Sequence, residues 1–131
     1  VLPDEYRGQG ETILVVDDDE DIREMVSYVL QRRHLHVLDA GSGIEALDKA
    51  QRAADLALVL LDLRMPGMSG ADVLAIMKRD PGLTGVPVVV ISGDRDARST
   101  AASLGAAGCL IKPVSTVELL DEVSRFVDVP T

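Results

Sequence analysis

Three carboxylates in succession, Asp17, Asp18 and Asp19, follow directly on the apolar run Ile13-Leu14-Val15-Val16. Adjacent like charges repel, so such a triplet is gathered by a cation or else serves as caps for the positive N-terminus of a helix. A fourth carboxylate, Asp62, ends the run that begins at Leu56. It opens onto Leu63-Arg64-Met65-Pro66-Gly67-Met68-Ser69-Gly70, too rich in turn residues to prolong a strand or a helix. Ser92 closes a third run ahead of Gly93, and Lys112 closes a fourth. A hydroxyl and an ammonium are groups that bind and neutralise phosphoryl oxygens, and a glycine lets backbone approach a ligand closely. Paired carboxylates suit Mg²⁺, a hard cation held by one or two acids, waters and phosphate oxygens. Each residue alone is ordinary; the chemistry requires all of them at one edge.

That requirement is met if the apolar runs are parallel strands. Short stretches rich in Val, Ile and Leu alternate with segments of helical period, the pattern of βα units around a parallel sheet. The predicted strands are Thr12 to Asp17, His36 to Ala40, Leu56 to Asp62, Val86 to Ser92 and Gly108 to Lys112. The third and fourth are almost wholly apolar, as strands covered on both faces should be. Between the first two, Ile22, Met25, Val26, Val29 and Leu30 mark one helical face, and Leu119, Leu120, Val123, Phe126 and Val127 mark another near the end. Ser42 with Glu45 and Ser115 with Glu118 read as capping boxes, Asp80-Pro81-Gly82 as a helix stop, and Gly105 as the end of a fourth helix from about Ala97 to Leu104. Acid pair, acid, hydroxyl and lysine then fall at the carboxyl ends of different strands, where open α/β sheets bind ligands.

The chain has 131 residues, 22 acidic and 13 basic, for a net charge of −9. That suits one domain and disfavours a nucleic-acid-binding module or an anionic membrane surface, since phosphate recognition needs a basic face. At 47% hydrophobic residues there is material for a core, and no run is long enough to span a membrane. The single Cys109 gives no intramolecular disulfide, so a cytoplasmic setting is expected. Residues 1–11 read as a linker, 12–127 as the domain and 128–131 as a tail.

Ile13-Leu14-Val15-Val16-Asp17-Asp18, Leu60-Leu61-Asp62 with its following loop, Ile91-Ser92-Gly93 and Ile111-Lys112-Pro113, in that order, resemble the receiver domains of two-component response regulators. The resemblance covers about Thr12 to Val127. It implies a flavodoxin-like, doubly wound (βα)5 fold with a five-stranded parallel sheet of order 2-1-3-4-5. It further implies that Asp62 is the phosphoacceptor for a kinase phosphohistidine, and that Asp17, Asp18, Asp62 and the Arg64 backbone carbonyl hold Mg²⁺, with Mn²⁺ as the alternative ion. Ser92, Gly93 and Lys112 would bind the phosphoryl group, and Pro113 would follow a cis peptide. Cys109 stands where many receivers carry Tyr or Phe, and the expectation there is a small buried hydrophobe. Arg64 and Asp94, each two residues beyond a switch residue, are expected to pair and slow phosphoryl loss.

The implied partners are a histidine kinase or phosphotransfer protein and a downstream effector or an output domain elsewhere in a longer protein. A homodimer through the fourth helix, fifth strand and fifth helix is a further expectation. The protein would be a signalling switch that catalyses its own phosphorylation and dephosphorylation, and not a conventional enzyme. Two other readings stand beside it: a phosphorylation-independent interaction module, and a haloacid-dehalogenase-type phosphatase using Asp17. Gly41-Ser42-Gly43 with Ala46 follows the second strand, not the first, so it reads as a tight turn and not a dinucleotide site. His34 and His36 read as bystanders, and Met65, Met68 and Met77 as packing residues.

Overall fold

The computed structural model describes residues 12–130; the predicted linker, residues 1–11, lies outside them. Five strands and five helices alternate: β1 Thr12–Val16, α1 Glu20–Gln31, β2 His36–Ala40, α2 Gly43–Arg52, β3 Leu56–Asp62, α3 Gly70–Arg79, β4 Val88–Ser92, α4 Ala97–Ser103, β5 Gly108–Ile111 and α5 Thr116–Val123. The strands form one sheet of order β2-β1-β3-β4-β5, parallel throughout. Because the chain moves outward from β1 to β2 and then returns past β1 to β3, the connections leave β1 and β3 toward opposite faces. That switch opens a crevice at their carboxyl ends.

Side chains alternate across each strand, and the two faces build two cores. Ile13, Val15, Leu58, Leu60 and Val89 meet Val26 and Leu30 of α1 and Leu119 and Val123 of α5. Leu14, Val16, Val59, Leu61 and Val88 meet Ala46 and Ala50 of α2 and Val73, Leu74 and Met77 of α3. The short α4 has a narrow Ala-based contact, with Ala101 against Val90 and Leu63. Of the predicted packing methionines, Met65 and Met77 are buried in the second core and Met68 packs against it. Met25 departs from its predicted face: it is 44% exposed and borders a hollow with Ile22, Pro113 and Val114.

Strand ends differ from the sequence reading for backbone reasons. β4 begins at Val88, not Val86, because Pro87 has no N–H to donate, although its carbonyl accepts from Val59 at 3.0 Å. Asp17 and Lys112 leave their strands, yet each amide still donates to a neighbouring strand, to Ala40 at 3.1 Å and to Ser92 at 2.9 Å. Helix starts are capped by side chains. Ser115 and Glu118 form a reciprocal box, and so do Ser69 and Asp72. Ser42 caps α2 as predicted, but Glu45 reaches one residue further back, accepting from the Gly41 amide at 2.8 Å instead of the cap residue's own. That bond, then Lys49 beside it, holds the Glu45 carboxyl below its usual range. Both histidines are accounted for locally. His34 stands in the turn that follows α1, at φ 64°, and His36 Nδ1 lies 3.1 Å from Thr12 Oγ1.

Candidate functional site

The four strand ends converge on an open cleft of about 460 Å³, bounded by Asp17, Asp18, Asp62, Ser92, Asp94 and Lys112 among others. Asp17 and Asp62 are buried and Asp18 is exposed, and one carboxylate oxygen from each lies within 4.8 Å of the others. Asp19, the third acid of the triplet, does not join them: its carboxylate caps α1, accepting from Asp21 and Ile22. The run therefore divides its labour, two acids clustering with Asp62 and the third, at the border of the cleft, satisfying the helix.

Asp17 is held at four points. Its amide donates to Ala40, its Oδ1 accepts from the Asp19 amide at 2.9 Å, and its Oδ2 accepts from Lys112 Nζ at 3.1 Å. Its carbonyl accepts from Arg23 Nη1 at 2.7 Å. Asp62 accepts on Oδ1 from the Arg64 amide at 3.1 Å, and its Oδ2 lies 3.6 Å from Lys112 Nζ. One ammonium thus faces two carboxylates, which leaves the buried group with excess negative charge. Burial raises the Asp62 pKa to about 6, against the lowering effect of the Arg64 amide; Asp17 adds to the rise and Lys112 opposes it. Burial disfavours the Lys112 ammonium, but its bond to Asp17 and the charge of Asp62 outweigh this, and its pKa is raised.

An excess of clustered oxygen donors with a buried, crowded charge fits a hard divalent cation, and the donor set, all carboxylate, is that of Mg²⁺ or Mn²⁺. Ser92 is buried at the end of β4, and its Oγ accepts from the Asp94 amide at 3.2 Å. Arg64 and Asp94 pair across the mouth of the cleft, Nε to Oδ2 at 2.7 Å. The Lys112–Pro113 peptide bond is cis. Gly93 is exposed, and a Cβ on it would meet only Lys112 Cβ at 3.8 Å, so protein packing does not demand glycine there. Cys109 is half-buried against the small cluster of Leu63, Val90 and Ala101, and burial pushes its thiol pKa up.

Two positioning features are absent from the sequence reading. A Cβ on Gly70 would stand 2.1 Å from the Asp62 carbonyl oxygen and 2.7 Å from Leu63 Cα, so only glycine lets α3 start against the end of β3. Arg23 bridges the Asp17 carbonyl and the Asp39 carboxylate of β2. The glycine was visible only as part of a turn-rich loop, and the arginine has no motif at all.

A five-stranded parallel sheet of this order, with acids, a hydroxyl and a lysine at its carboxyl edge, defines the class of protein. Residues 13–124 match the family model of the response regulator receiver domain, and the chain belongs to that family. It is 38% identical over 113 residues to the DNA-binding response regulator MtrA of Mycolicibacterium paratuberculosis, covering 85% of this chain and 48% of that protein. It is 33% identical over 121 residues to the cyclic di-GMP phosphodiesterase response regulator RpfG of Xanthomonas campestris pv. campestris, covering 89% of this chain and 32% of the relative. The chain thus spans a half or less of the length of these relatives. Among solved structures, the chemotaxis protein CheY4 of Vibrio cholerae superimposes with a TM-score of 0.82 at 30% identity, over 88% of this chain and 98% of that one. The chain is accordingly a signalling-switch domain of two-component systems. No helix among the described residues is long and apolar enough to cross a membrane.

Proposed function

We propose that this domain accepts a phosphoryl group on Asp62 from the phosphohistidine of a histidine kinase or phosphotransfer protein, in a reaction that depends on Mg²⁺. The observation that carries the proposal is the crowding of Asp17, Asp18 and Asp62 around one lysine. A carboxylate oxygen of Asp62 forms the new bond to phosphorus as the phosphorus–nitrogen bond to histidine breaks, and the imidazole leaves with the electron pair and takes up a proton. The transferring group carries charge on its oxygens, so catalysis here is positioning plus neutralisation. Asp17, Asp18, Asp62 and the Arg64 carbonyl would hold the ion, which supplies positive charge to those oxygens. Lys112 supplies the protein's own. Ser92, with Gly93 beside it, then binds the phosphoryl oxygens and draws its loop inward, altering the surface a partner reads.

The Arg64–Asp94 pair bears on how long the group survives. Joined at 2.7 Å on the border of the cleft, it narrows the approach of a hydrolytic water and slows dephosphorylation. The downstream partner is an effector or an output domain of a longer protein, and dimerisation through α4, β5 and α5 is a route to it. A cytoplasmic setting, a domain of residues 12–127 and its own phosphorylation and dephosphorylation without conventional turnover complete the proposal.

The decisive experiment is intact mass after incubation with acetyl phosphate and Mg²⁺, comparing wild type with Asp62→Asn. A gain of one phosphoryl group, lost in the variant and without Mg²⁺, supports the proposal. A gain that survives the Asp62 change shifts the acceptor to Asp17, and no gain from any donor leaves an interaction module.

A further inference from the structure

We propose that Arg23 is a positioning residue for the acid pair, and that Arg23, Asp39 and Gly41 together set the domain's affinity for its divalent cation. The inference rests on the reading that Asp17, Asp18 and Asp62 bind that cation, and it concerns the peptide unit between the first two. The Asp17 carbonyl and the Asp18 amide belong to one rigid plane, so whatever fixes that carbonyl also fixes the direction in which the chain enters Asp18. Arg23 Nη1 donates to it at 2.7 Å. The guanidinium is itself anchored, Nε donating to Asp39 Oδ2 at 3.0 Å, and its side chain is only 18% exposed.

Around this bridge the neighbours are equally fixed. Lys49 donates to the Asp39 carbonyl and also pairs with Glu45 at 3.0 Å, while Glu45 accepts from the Gly41 amide. A Cβ on Gly41 would lie 3.1 Å from Arg23 Nη1, closer than such contacts normally come, so the glycine gives the guanidinium its place. Gly41 is the first glycine of the Gly41-Ser42-Gly43 phrase, and this contact gives it a role that no nucleotide requires. Asp17 is held through its amide, its carboxylate and its carbonyl, whereas Asp18 is exposed and depends on its backbone for its aim.

Charge and geometry predict opposite signs for the loss of Arg23, which makes the proposal testable. Removing a cation that bonds the Asp17 carbonyl, on the chain beside the acid pair, should tighten divalent binding if charge alone matters. If Arg23 positions the pair, its loss should weaken binding despite the added negative potential. Mn²⁺ binding to the whole chain, followed by loss of the free-ion electron paramagnetic resonance signal, measures this without any phosphoryl transfer. We expect Arg23→Ala to weaken Mn²⁺ binding about tenfold, as outer-sphere partners of metal ligands commonly do. Arg23→Lys, which keeps the charge but not the fork, should fall between. Gly41→Ala changes no charge and should weaken binding about threefold by displacing Nη1.

Ala101→Gly, which loosens α4 in the separate cluster with Leu63 and Val90, should leave Mn²⁺ affinity unchanged and so separates positioning from general instability. Unchanged or tighter binding by Arg23→Ala, with wild-type binding intact and abolished by Asp18→Asn, overturns the proposal. Should Arg23→Ala fail to fold, Gly41→Ala decides in the same way. Wild type that binds no Mn²⁺ overturns the metal reading itself, together with this one.

Discussion

Replacing Asp62 by asparagine should stabilise the fold, by an amount that depends on pH in a defined direction. Folding carries the Asp62 carboxyl from its ordinary 3.8 to about 6, chiefly through burial. At about 1.4 kcal/mol for each tenfold change in an ionisation constant, the ionised folded site is disfavoured by at most about 3 kcal/mol. The folded state holds its proton over the window from 3.8 to about 6 while the unfolded chain loses it. Wild-type stability from this group therefore falls as pH rises through that window and is flat above it.

Asparagine keeps the shape of the protonated acid and can still accept from the Arg64 amide, and the attraction of Lys112 is already contained in the raised value, so the net gain at neutral pH is expected at about 1–3 kcal/mol. For a domain of this size that raises the thermal midpoint by roughly 5–10 °C. Urea unfolding of wild type and Asp62→Asn in EDTA, at pH 7.5 and again near pH 4, is the assay. The gain should be full at the higher pH and nearly absent at the lower. Saturating Mg²⁺ should narrow it by stabilising wild type preferentially. Equal gains at both pH values, or a loss at pH 7.5, would refute the reasoning, because the stored cost would then not be the charge on Asp62.

Gly70→Ala should cost about 2–4 kcal/mol, since the clash is with backbone and α3 must leave the end of β3 to relieve it; chemical denaturation measures this, and phosphoryl uptake from acetyl phosphate should slow with it. His34→Gly should stabilise by up to about 1 kcal/mol, because His34 occupies φ 64°, where a Cβ is unfavourable; a thermal scan checks it. Arg64→Ala and Asp94→Ala should each speed loss of the phosphoryl group at least about twofold, with the double variant no faster than the worse single one. Phosphoprotein decay followed by intact mass decides that, and unchanged decay in Arg64→Ala would dispose of the shielding role.

The strands and the cleft were legible in the sequence because apolar runs end in polar residues at one level, and that pattern survives without coordinates. Asp62, Ser92 and Lys112 each sit at such an end. What escaped is carried by contacts that leave no local trace. Arg23 lies six residues from the carbonyl it binds and 16 from Asp39, and a carbonyl is the same in every residue. Gly41 reads as a turn glycine whether or not a guanidinium packs on it. Ser69 and Asp72 stand where a turn-rich loop passes into α3, and their box is visible only in the structure, the Asp72 carboxylate accepting from the cap amide at 3.2 Å. Met25 follows the helical period, but it borders the hollow beside Pro113 and Val114 and stays 44% exposed.

The contact at Gly70 gives the domain a mechanical property. With the start of α3 seated on the Asp62 carbonyl and Leu63 Cα, the main chain of Asp62 and the helix axis are joined without an intervening side chain to absorb slack. The joint is reinforced by the Gly70 amide, which donates to the Leu63 carbonyl at 3.0 Å. A shift of the strand end at the cleft would therefore pass to α3 as a rigid displacement, carried to Arg79 nine residues along, about 13–14 Å at 1.5 Å per residue. Such a joint would let the helix act as a pushrod, its far end following a displacement of the Asp62 main chain without any side chain rearranging.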